Sequence, residues 1–455
     1  MADAPAPAPA PPLDGRLASA LERLGRSPRF AVEGRVTRII GPVIEASSLQ
    51  VAIGEICQIA TASGASVDAE VVGFHERGIL LMPFGDVEGI PPGATVKPRG
   101  RSIGLVMGDA LVGRVLDGLG RPIDGHGPVR GDERRPVSAA PPHPLDRARI
   151  SQPLITGVRA IDGLLTLGKG QRVGVFAGSG VGKSVLLGMM ARHTTADVNV
   201  IALLGERGRE VRDFIERDLG AEGLKRSVVV VATSDQAALI RAKGALVATA
   251  IAERFRDTGR DVLLLVDSIT RVAMAWREIG LAAGEPPTTK GYPPSVFGAL
   301  PRLLERAGTA RRGSITGLYT VLVEGDDFNE PVADAARSVL DGHVALSRRL
   351  ANLGHFPAID VLESVSRVRD QVIDAEQRAA IETVLRLEAA HRAHEDLLAV
   401  GAYQKGANRD VDAAVAIRDS MLAFLRQRPE ERGTAEDTRR RLLALSQRAG
   451  RGGAA

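Results

Sequence analysis

Residues 177–184 read AGSGVGKS and combine the residue types that bind phosphate groups. The string follows an apolar run at Val173–Phe176 and precedes a helical stretch that begins near Val185. Its glycines allow successive backbone N–H groups to curl around an anion, and the N-terminus of the following helix adds the positive end of a dipole. Lys183 is placed to reach the β- and γ-phosphates of a nucleotide, and the Ser184 hydroxyl is placed to ligate Mg²⁺. The pattern predicts a phosphate-binding loop between a strand and a helix.

The loop departs at one position from the strict pattern G-x-x-x-x-G-K-[ST], because Ala177 stands where the first glycine belongs. A methyl group at the end of a strand is a mild departure, since the remaining glycines still supply the unusual backbone dihedrals. The alternative is a glycine-rich turn with a chance lysine, and the strand-to-helix context argues against it. The residues expected to bind the nucleotide here are Ala177, Gly178, Ser179, Gly180, Val181, Gly182, Lys183, Ser184 and Val185.

Two carboxylates that follow other apolar runs are candidates for the chemistry of hydrolysis. Asp267 ends the run DVLLLVD, where an acidic side chain suits the water ligands of Mg²⁺ or the loop serine. Glu206 follows the run Val198–Leu204, where a carboxylate can orient and polarise a water that attacks the γ-phosphate. Arg207 and Glu210 are candidates to hold that carboxylate in place. Without the loop, the aspartate would read as a helix cap and the glutamate as an ordinary charged helix start.

Composition excludes several classes of protein. The chain has 455 residues, enough for about three domains. Its 44% hydrophobic and 25% charged residues, with 59 basic against 55 acidic side chains, describe an ordinary globular protein. The single cysteine excludes an intramolecular disulfide framework and a cysteine-built zinc site. Apolar runs such as Val262–Val266 are too short to cross a bilayer, and the first residues show no signal-peptide pattern, so we expect neither a secreted nor a membrane-spanning protein.

The residue pattern divides the chain into four parts. Residues 1–29 hold an Ala/Pro alternation, expected to be disordered, and an amphipathic helix over Leu13–Leu24. That helix either docks on its own protein or is offered to a partner or a membrane surface. Residues 30–101 show short β-type runs at spacings of about 8–12 residues, which predict a small β-barrel.

The third and fourth parts are a sheet domain and a helical domain. In residues 102–373, near-continuous apolar strands alternate with helices, which predicts a parallel sheet covered on both faces. The strands are expected at Val173–Phe176, Val198–Leu204, Val228–Ala232, Val262–Val266 and Tyr319–Val323. In residues 374–455 we expect helices at Ala375–Val400 and Val411–Arg426, the second capped by Asn408 or Asp410.

Several longer strings make the chain resemble the ATPases of type III protein export systems, the flagellar export ATPase and its virulence-secretion relatives. These ATPases belong with the rotary ATP synthase subunits in one superfamily. The resemblance covers residues from about Val36 to Ala416. The strings that carry it jointly are GRVLDGLGRPIDG (113–125), FAGSGVGKSVLLGMMAR (176–192), GERGREV (205–211), VDSITRVAMAWREI (266–279), GYPPSVFGALPRLLERAG (291–308), GSITGLYTVLVEGDDFNEPVADAARSVLDGH (313–343) and GAYQKGA (401–407).

The resemblance implies an α/β fold: a RecA-like P-loop core with a parallel sheet, preceded by a small β-barrel and followed by a helical domain. It also implies roles for residues at matching positions. Lys183, Ser184 and Asp267 take the roles given above for ATP and Mg²⁺. Glu206 matches the catalytic glutamate, and the neighbouring Arg207 is a catalytic candidate with it.

Three further positions follow from the resemblance. Arg367, in ESVSRVRD, matches the arginine that reaches the γ-phosphate of the neighbouring subunit. Phe356, in GHFPAID, stands where the family usually has a tyrosine that packs on adenine, and it keeps the aromatic ring. Tyr403 is a candidate to cover the other face of the adenine.

The resemblance also implies an assembly and its partners. We expect a ring of six identical subunits with nucleotide sites at their interfaces, located in the cytoplasm and peripheral to the inner membrane at the export apparatus. Expected partners are a regulatory, stator-like protein at the N-terminal helix, a stalk-like protein in the ring pore, export chaperones and substrates, and the membrane export gate. We favour the flagellar system over a virulence system, although no residue separates them.

Other functions remain as alternatives. A rotary ATP synthase catalytic subunit also carries both a catalytic glutamate and an interface arginine, but the export-type strings argue against it. A ring-shaped nucleic-acid motor shares the core fold and calls for aromatic and basic residues on its barrel. Residues 31–100 contain only Phe74 and Phe84 as aromatic residues, so we expect no nucleic-acid partner. A structural ring subunit without catalysis is the last alternative, and Lys183 and Glu206 argue against it.

Overall fold

The computed structural model describes residues 32–76, 78–323 and 330–452, together with positions 17, 19, 20 and 23. The Ala/Pro segment, most of the predicted helix Leu13–Leu24 and the stretch 324–329 of one family-like string therefore lie outside the described residues. Among the described residues, no helix is long and apolar enough to span a membrane. Contacts divide the chain into two compact units, Met1–Arg101 and Ser102–Ala455.

The first unit contains a closed β-barrel, which confirms the predicted one. Its strands follow the order β1-β2-β5-β4-β3-β6, and each pair of neighbours is antiparallel. Alternate side chains such as Ile44, Ile59 and Leu81 are fully buried inside, and closure leaves no free sheet edge. The strands are β1 (Gly34–Ile40), β2 (Val43–Ser47), β3 (Ile56–Ala60), β4 (Ser66–His75), β5 (Gly78–Pro83) and β6 (Thr95–Pro98).

The second unit contains a large sheet with helices around it. The strands of this unit, not all of which join the large sheet, are β7 (Gly104–Met107), β8 (Val115–Asp117), β9 (Glu133–Pro136), β10 (Pro153–Leu154), β11 (Leu167–Gly168), β12 (Arg172–Ala177), β13 (Val198–Leu204), β14 (Ser227–Ala232), β15 (Asp261–Asp267), β16 (Gly308–Thr309), β17 (Ser314–Leu322), β18 (Gly342–Leu346) and β19 (Ile359–Ser366). Its α-helices up to residue 372, in the part of the chain that the structure describes, are α1 (Lys183–His193), α2 (Gly208–Asp213), α3 (Gly220–Leu224), α4 (Ala238–Asp257), α5 (Ile269–Ala282), α6 (Pro294–Leu304), α7 (Pro331–Val339), α8 (Arg348–Asn352) and α9 (Arg369–Val372).

The main sheet has the order β19-β18-β12-β17-β15-β13-β14-β8, with β16 beside β17. From β18 to β8 all neighbours are parallel, as predicted, and the five predicted apolar runs are β12 to β15 and β17. The edge strand β19 runs antiparallel to β18, which the apolar pattern did not indicate. Because parallel strands end at one edge, this order brings together the loops after β12, β15 and β13.

The C-terminal part is helical, as predicted, with two differences in its elements. The helices are α10 (Ala375–Ala393), α11 (Glu395–Ala399), α12 (Arg409–Leu425) and α13 (Ala435–Gly452). The helix expected over residues 375–400 is interrupted at His394. Asn408, one of the two candidate caps, caps α12 by accepting a hydrogen bond from the Asp410 N–H at 2.9 Å. The sequence reasoning did not include α13, which buries Leu442 and Leu445 against the rest of this unit.

Candidate nucleotide-binding site

The glycine-rich loop lies between β12 and α1, in the predicted context. Ala177 is fully buried at the end of β12, and its carbonyl accepts a hydrogen bond from the Val323 N–H at 3.2 Å. Gly180 and Gly182 have φ angles of 77° and 86°, a region that only glycine adopts without strain. Gly182 is the N-cap of α1 and no side chain caps this end, so the first N–H groups of the helix face the loop.

The lysine of the loop lies between two carboxylates from neighbouring strands. Its Nζ is 2.5 Å from Oδ1 of Asp267, at the end of β15, and 3.4 Å from Oε1 of Glu206, just after β13. The side chains of Lys183, Glu206 and Asp267 are 13%, 14% and 4% exposed. The structure thus brings together the three residues that the sequence singled out, from three segments far apart in the chain.

The cluster shifts the pKa values of Glu206 and Lys183. Burial raises the pKa of Glu206 above the usual value for a glutamate, and the charge of Asp267 adds to this effect, while Lys183 opposes it. Burial alone would lower the pKa of Lys183, but the two carboxylates outweigh it, so that its pKa is raised and the lysine stays charged. A charged lysine beside a relatively basic carboxylate is the electrostatic arrangement that phosphate binding and water activation need.

Of the two residues predicted to hold the carboxylate of Glu206, only one does so. Glu210 shares a side-chain hydrogen bond with Glu206, which raises the pKa of Glu206 and lowers that of Glu210. Arg207 directs its guanidinium to solvent: the side chain is 83% exposed and lies 3.8 Å from Glu210. The expectation that Arg207 holds Glu206 is therefore wrong in this structure, because Arg207 is the extended N-cap residue before α2 and its side chain is exposed to solvent.

The residues predicted to serve a magnesium ion are Ser184 and Asp267. Ser184 lies in the first turn of α1, half-buried, and Val185 beside it is 37% exposed. Asp267 is 3% exposed and offers carboxylate oxygen, the hard donor that Mg²⁺ prefers. Among the described residues, no group of three or more His, Cys, Asp or Glu forms a metal site by itself. A cation here would complete its shell with phosphate oxygens and water, as Mg²⁺ does at such sites.

The two aromatic candidates lie in different surroundings. Phe356 is 45% exposed and faces the loop, since a methyl group added at Gly182 would lie 3.5 Å from its ring. Tyr403 lies between α11 and α12, where its hydroxyl donates to the Asn408 carbonyl at 2.9 Å and to Asp412 at 3.1 Å. The structure therefore brings Phe356 to the loop, whereas these contacts of Tyr403 lie within its own segment and do not support a place at an adenine ring.

Arg367 lies at the edge of the sheet where the parallel strands begin, whereas the loop lies at the edge where they end. It follows β19, whose last residue, Ser366, pairs with Gly342 at the start of β18. Because β18 is parallel to β12, this is the edge at which β12 begins. The five steps between the six residues of β12 separate the two ends by about 17 Å at about 3.3 Å per step. Arg367 is thus an exposed residue whose backbone lies at the end of the strands opposite to the loop of its own chain.

Comparisons with known proteins match all three parts of the chain. Residues 157–366 match the family model described as ATP synthase alpha/beta family, nucleotide-binding domain; residues 36–100 match its beta-barrel domain, and residues 373–444 match the T3SS EscN ATPase C-terminal domain. The chain is 52% identical to the flagellum-specific ATP synthase of Bacillus subtilis over 91% of this chain and 95% of that protein. The chain belongs to the family of flagellum-specific ATP synthases and type 3 secretion system ATPases.

Other relatives include both branches of this family. The type 3 secretion system ATPase of Xanthomonas euvesicatoria is 48% identical over 96% of this chain and 98% of its own length. The structure of the assembled ATPase EscN from the type III secretion system of enteropathogenic E. coli superposes with a TM-score of 0.86 at 45% identity. This superposition covers 91% of this chain and all of that one. The three-part architecture of this type III family member is thus shared with EscN.

Two residues of this family member, Thr320 and Gln427, make contacts that escaped the sequence reasoning. Thr320, inside the apolar run of β17, donates a hydrogen bond to Oδ1 of Asp267 at 2.6 Å. Gln427, just after α12, donates its N–H to the Phe356 carbonyl at 2.9 Å, and its side chain accepts from the N–H of the buried Arg159 at 2.9 Å. A hydroxyl in an apolar strand was a usable signal for Thr320. No local signal marked Gln427, because its partners lie far away in the chain.

Gln427 and Arg159 also line a groove of about 800 Å³ beside Phe356, whose charged lining residues are five arginines and two acidic residues. Arg159 donates through Nε to the Phe424 carbonyl at 3.1 Å, and Arg192 at the end of α1 donates to the Pro429 carbonyl at 2.7 Å. The C-terminal helical part is therefore hydrogen-bonded directly to the elements that carry the loop and its aromatic residue.

Proposed function

We propose that the chain is the ATP-hydrolysing ring motor of a type III protein export apparatus. It couples hydrolysis of Mg-ATP to engagement, chaperone release or unfolding of export substrates. The observation that carries the proposal is the convergence of Lys183, Asp267 and Glu206 on the phosphate-binding loop. Relatives from flagellar and virulence systems both match over more than nine-tenths of the chain, so the flagellar system is only the first that we would test.

The proposed roles follow from the chemistry of the cluster. Lys183 holds the β- and γ-phosphates, together with the N–H groups at the start of α1. Ser184 ligates the magnesium ion, and Asp267 accepts hydrogen bonds from its water ligands. Glu206 orients and polarises the attacking water, for which its burial and raised pKa suit it. Phosphoryl transfer needs little more than positioning and charge stabilisation, and these residues supply both.

Phe356 is proposed to pack on the adenine ring, and its replacement gives the first prediction. Phe356→Ala is expected to raise the KM for ATP about tenfold, because aromatic stacking contributes about 0.5–1.5 kcal/mol beyond the area it buries. Phe356→Tyr is the control and is expected to keep the KM near the wild-type value. Steady-state kinetics measure both, and an unchanged KM in the alanine variant would contradict the role of this ring.

We further propose a ring of six identical subunits in which Arg367 completes the site of its neighbour. Arg367 lies about one strand length from the loop of its own chain, so its guanidinium is available to a second copy. EscN, the relative that shares 45% identity, has been solved as an assembled ATPase and in complex with its central stalk EscO. For this chain we propose a stalk-like protein in the pore, a regulator at the N-terminal helix, export chaperones and substrates, and peripheral contact with the export gate.

The test of the proposal is Mg-ATP hydrolysis per subunit across a wide range of protein concentration. Specific activity is expected to rise steeply with concentration, because a site shared between identical subunits forms only on assembly. Removal of Mg²⁺ by a chelator should abolish turnover at every concentration. Activity that is absent throughout would instead mean that a partner subunit is required, and it would favour the rotary-type alternative.

A further inference from the structure

The backbone that carries Arg367 is held by one acidic residue. Asp341, just before β18, accepts the Arg367 N–H through its carbonyl at 3.0 Å. The same carbonyl accepts a second hydrogen bond from Nε2 of Gln171 at 3.1 Å, and this buried amide also donates to Oγ of Ser366 at 3.1 Å. The residue before Arg367 and Arg367 itself are thus fixed through Asp341 and its neighbour Gln171.

The carboxylate of Asp341 is in turn fixed by Arg172, the first residue of β12. Arg172 donates to it from the backbone N–H at 3.0 Å, from Nε at 3.0 Å and from Nη2 at 3.1 Å. The Asp341 N–H donates back to the Arg172 carbonyl at 2.8 Å. A second carboxylate, that of Glu305, pairs with Arg172 from the other side. The Arg172 side chain is 16% exposed, so the two-pronged hydrogen bond between its guanidinium and the Asp341 carboxylate is well shielded from solvent and correspondingly rigid.

We propose that Asp341 is the positioning residue for Arg367. The carboxylate of Asp341 binds the guanidinium of Arg172 at the start of β12, and this contact fixes the position of Asp341. The Asp341 carbonyl, which accepts the Arg367 N–H, thereby sets where the Arg367 backbone leaves the sheet. Asp341 touches no substrate and acts only through Arg367. The inference rests on the proposed role of Arg367 at the site of the neighbouring subunit.

The expected effect of Asp341→Asn is a fall in kcat of about tenfold to a hundredfold, because misplacing a reacting group by about 1 Å costs up to about 10²-fold. The KM for ATP and binding of ADP should stay unchanged, since the loop of the same subunit lies at the other edge of the sheet. Asp261→Asn is the matched control. Asp261 lies at the same edge, is likewise 26% exposed on its side chain and pairs with Lys169 at 2.6 Å.

Subunit mixing separates an effect on Arg367 from a general structural effect. Asp341→Asn subunits mixed one to one with Glu206→Gln subunits are expected to regain about a quarter of wild-type activity, because a quarter of the interfaces in a random ring then join an intact loop to an intact arginine. Mixed with Arg367→Ala subunits, they should regain none. Arg172→Lys, which keeps the charge and loses the fork, should give the same pattern.

Each outcome decides between the two proposals. Recovery with Arg367→Ala, or none with Glu206→Gln, would overturn the role of Asp341 while leaving that of Arg367 intact. The reference mixture of Glu206→Gln with Arg367→Ala tests the shared site itself, and its failure would overturn both. If Asp341→Asn does not bind ADP and is therefore misfolded, Arg172→Lys decides by the same criteria.

Discussion

Arg367→Ala is expected to lower ATP turnover of the assembled ring by about 10³-fold or more, the size of effect that arginine fingers have in phosphoryl transfer. The physical reason is the loss of a positive charge at the γ-phosphate, where negative charge develops in the transition state. Nucleotide binding should change little, because the loop lies at the opposite edge of the sheet from Arg367 of the same chain. Measurement of kcat and of ADP binding on one preparation checks both parts.

A matched control for this variant lies two residues further on. Arg369 begins the short helix α9 and pairs with Asp370 at 2.9 Å. Arg369→Ala removes the same charge from the same edge and is expected to keep most of the activity. In one-to-one mixtures, Arg367→Ala and Glu206→Gln subunits should restore activity to each other. Mixtures that stay as inactive as the single variants would show that Arg367 does not act across an interface.

The second large effect is expected for Glu206→Gln, which should lose hydrolysis by about 10²-fold or more. The amide keeps the shape of the side chain but cannot polarise a water, whereas Lys183 keeps Asp267 as a partner at 2.5 Å. Binding of ATP and assembly should therefore persist. Glu216→Gln, an exposed glutamate paired with Arg212 at 2.8 Å, is the control. Near-wild-type turnover in Glu206→Gln would rule out the assignment.

The pH dependence of kcat gives the same residue a second readout. The pKa of Glu206 is raised, mainly by burial, so its active deprotonated form is lost at a higher pH than that of an ordinary glutamate. Activity should accordingly fall as the pH is lowered through this raised pKa. In Glu206→Gln the residual activity should lack this acid limb. An acid limb that survives the substitution unchanged would assign it to another group.

The parts of the site that could be predicted from the sequence are those whose residues follow one another directly in the chain. The loop at residues 177–184 and the carboxylates Glu206 and Asp267 each stand directly after an apolar run, so strand, turn and side chain could be inferred together. Parallel strands place such ends at one sheet edge, which is why their convergence could be expected as well.

The features that escaped prediction depend on contacts between distant segments or on side-chain direction. The bond from Thr320 to Asp267 joins two strands, and the one from Gln427 to Phe356 joins the helical part to the sheet. The solvent-facing direction of Arg207 depends on where it enters a helix, which a string of letters does not specify. The antiparallel edge strand β19 escaped because short apolar runs carry no sign of strand direction.

The bonds that join α12 and the residues after it to Arg159, Arg192 and Phe356 have a consequence for how this protein can be dissected. The similarity to a nucleotide-binding domain ends at residue 366, but the packing does not end there. A fragment cut at that border would lose the Gln427 N–H that binds the Phe356 carbonyl, and it would leave the backbone N–H and Nε of the buried Arg159 without these acceptors. The border between the two sequence families thus runs through the packed and hydrogen-bonded interior of one compact unit.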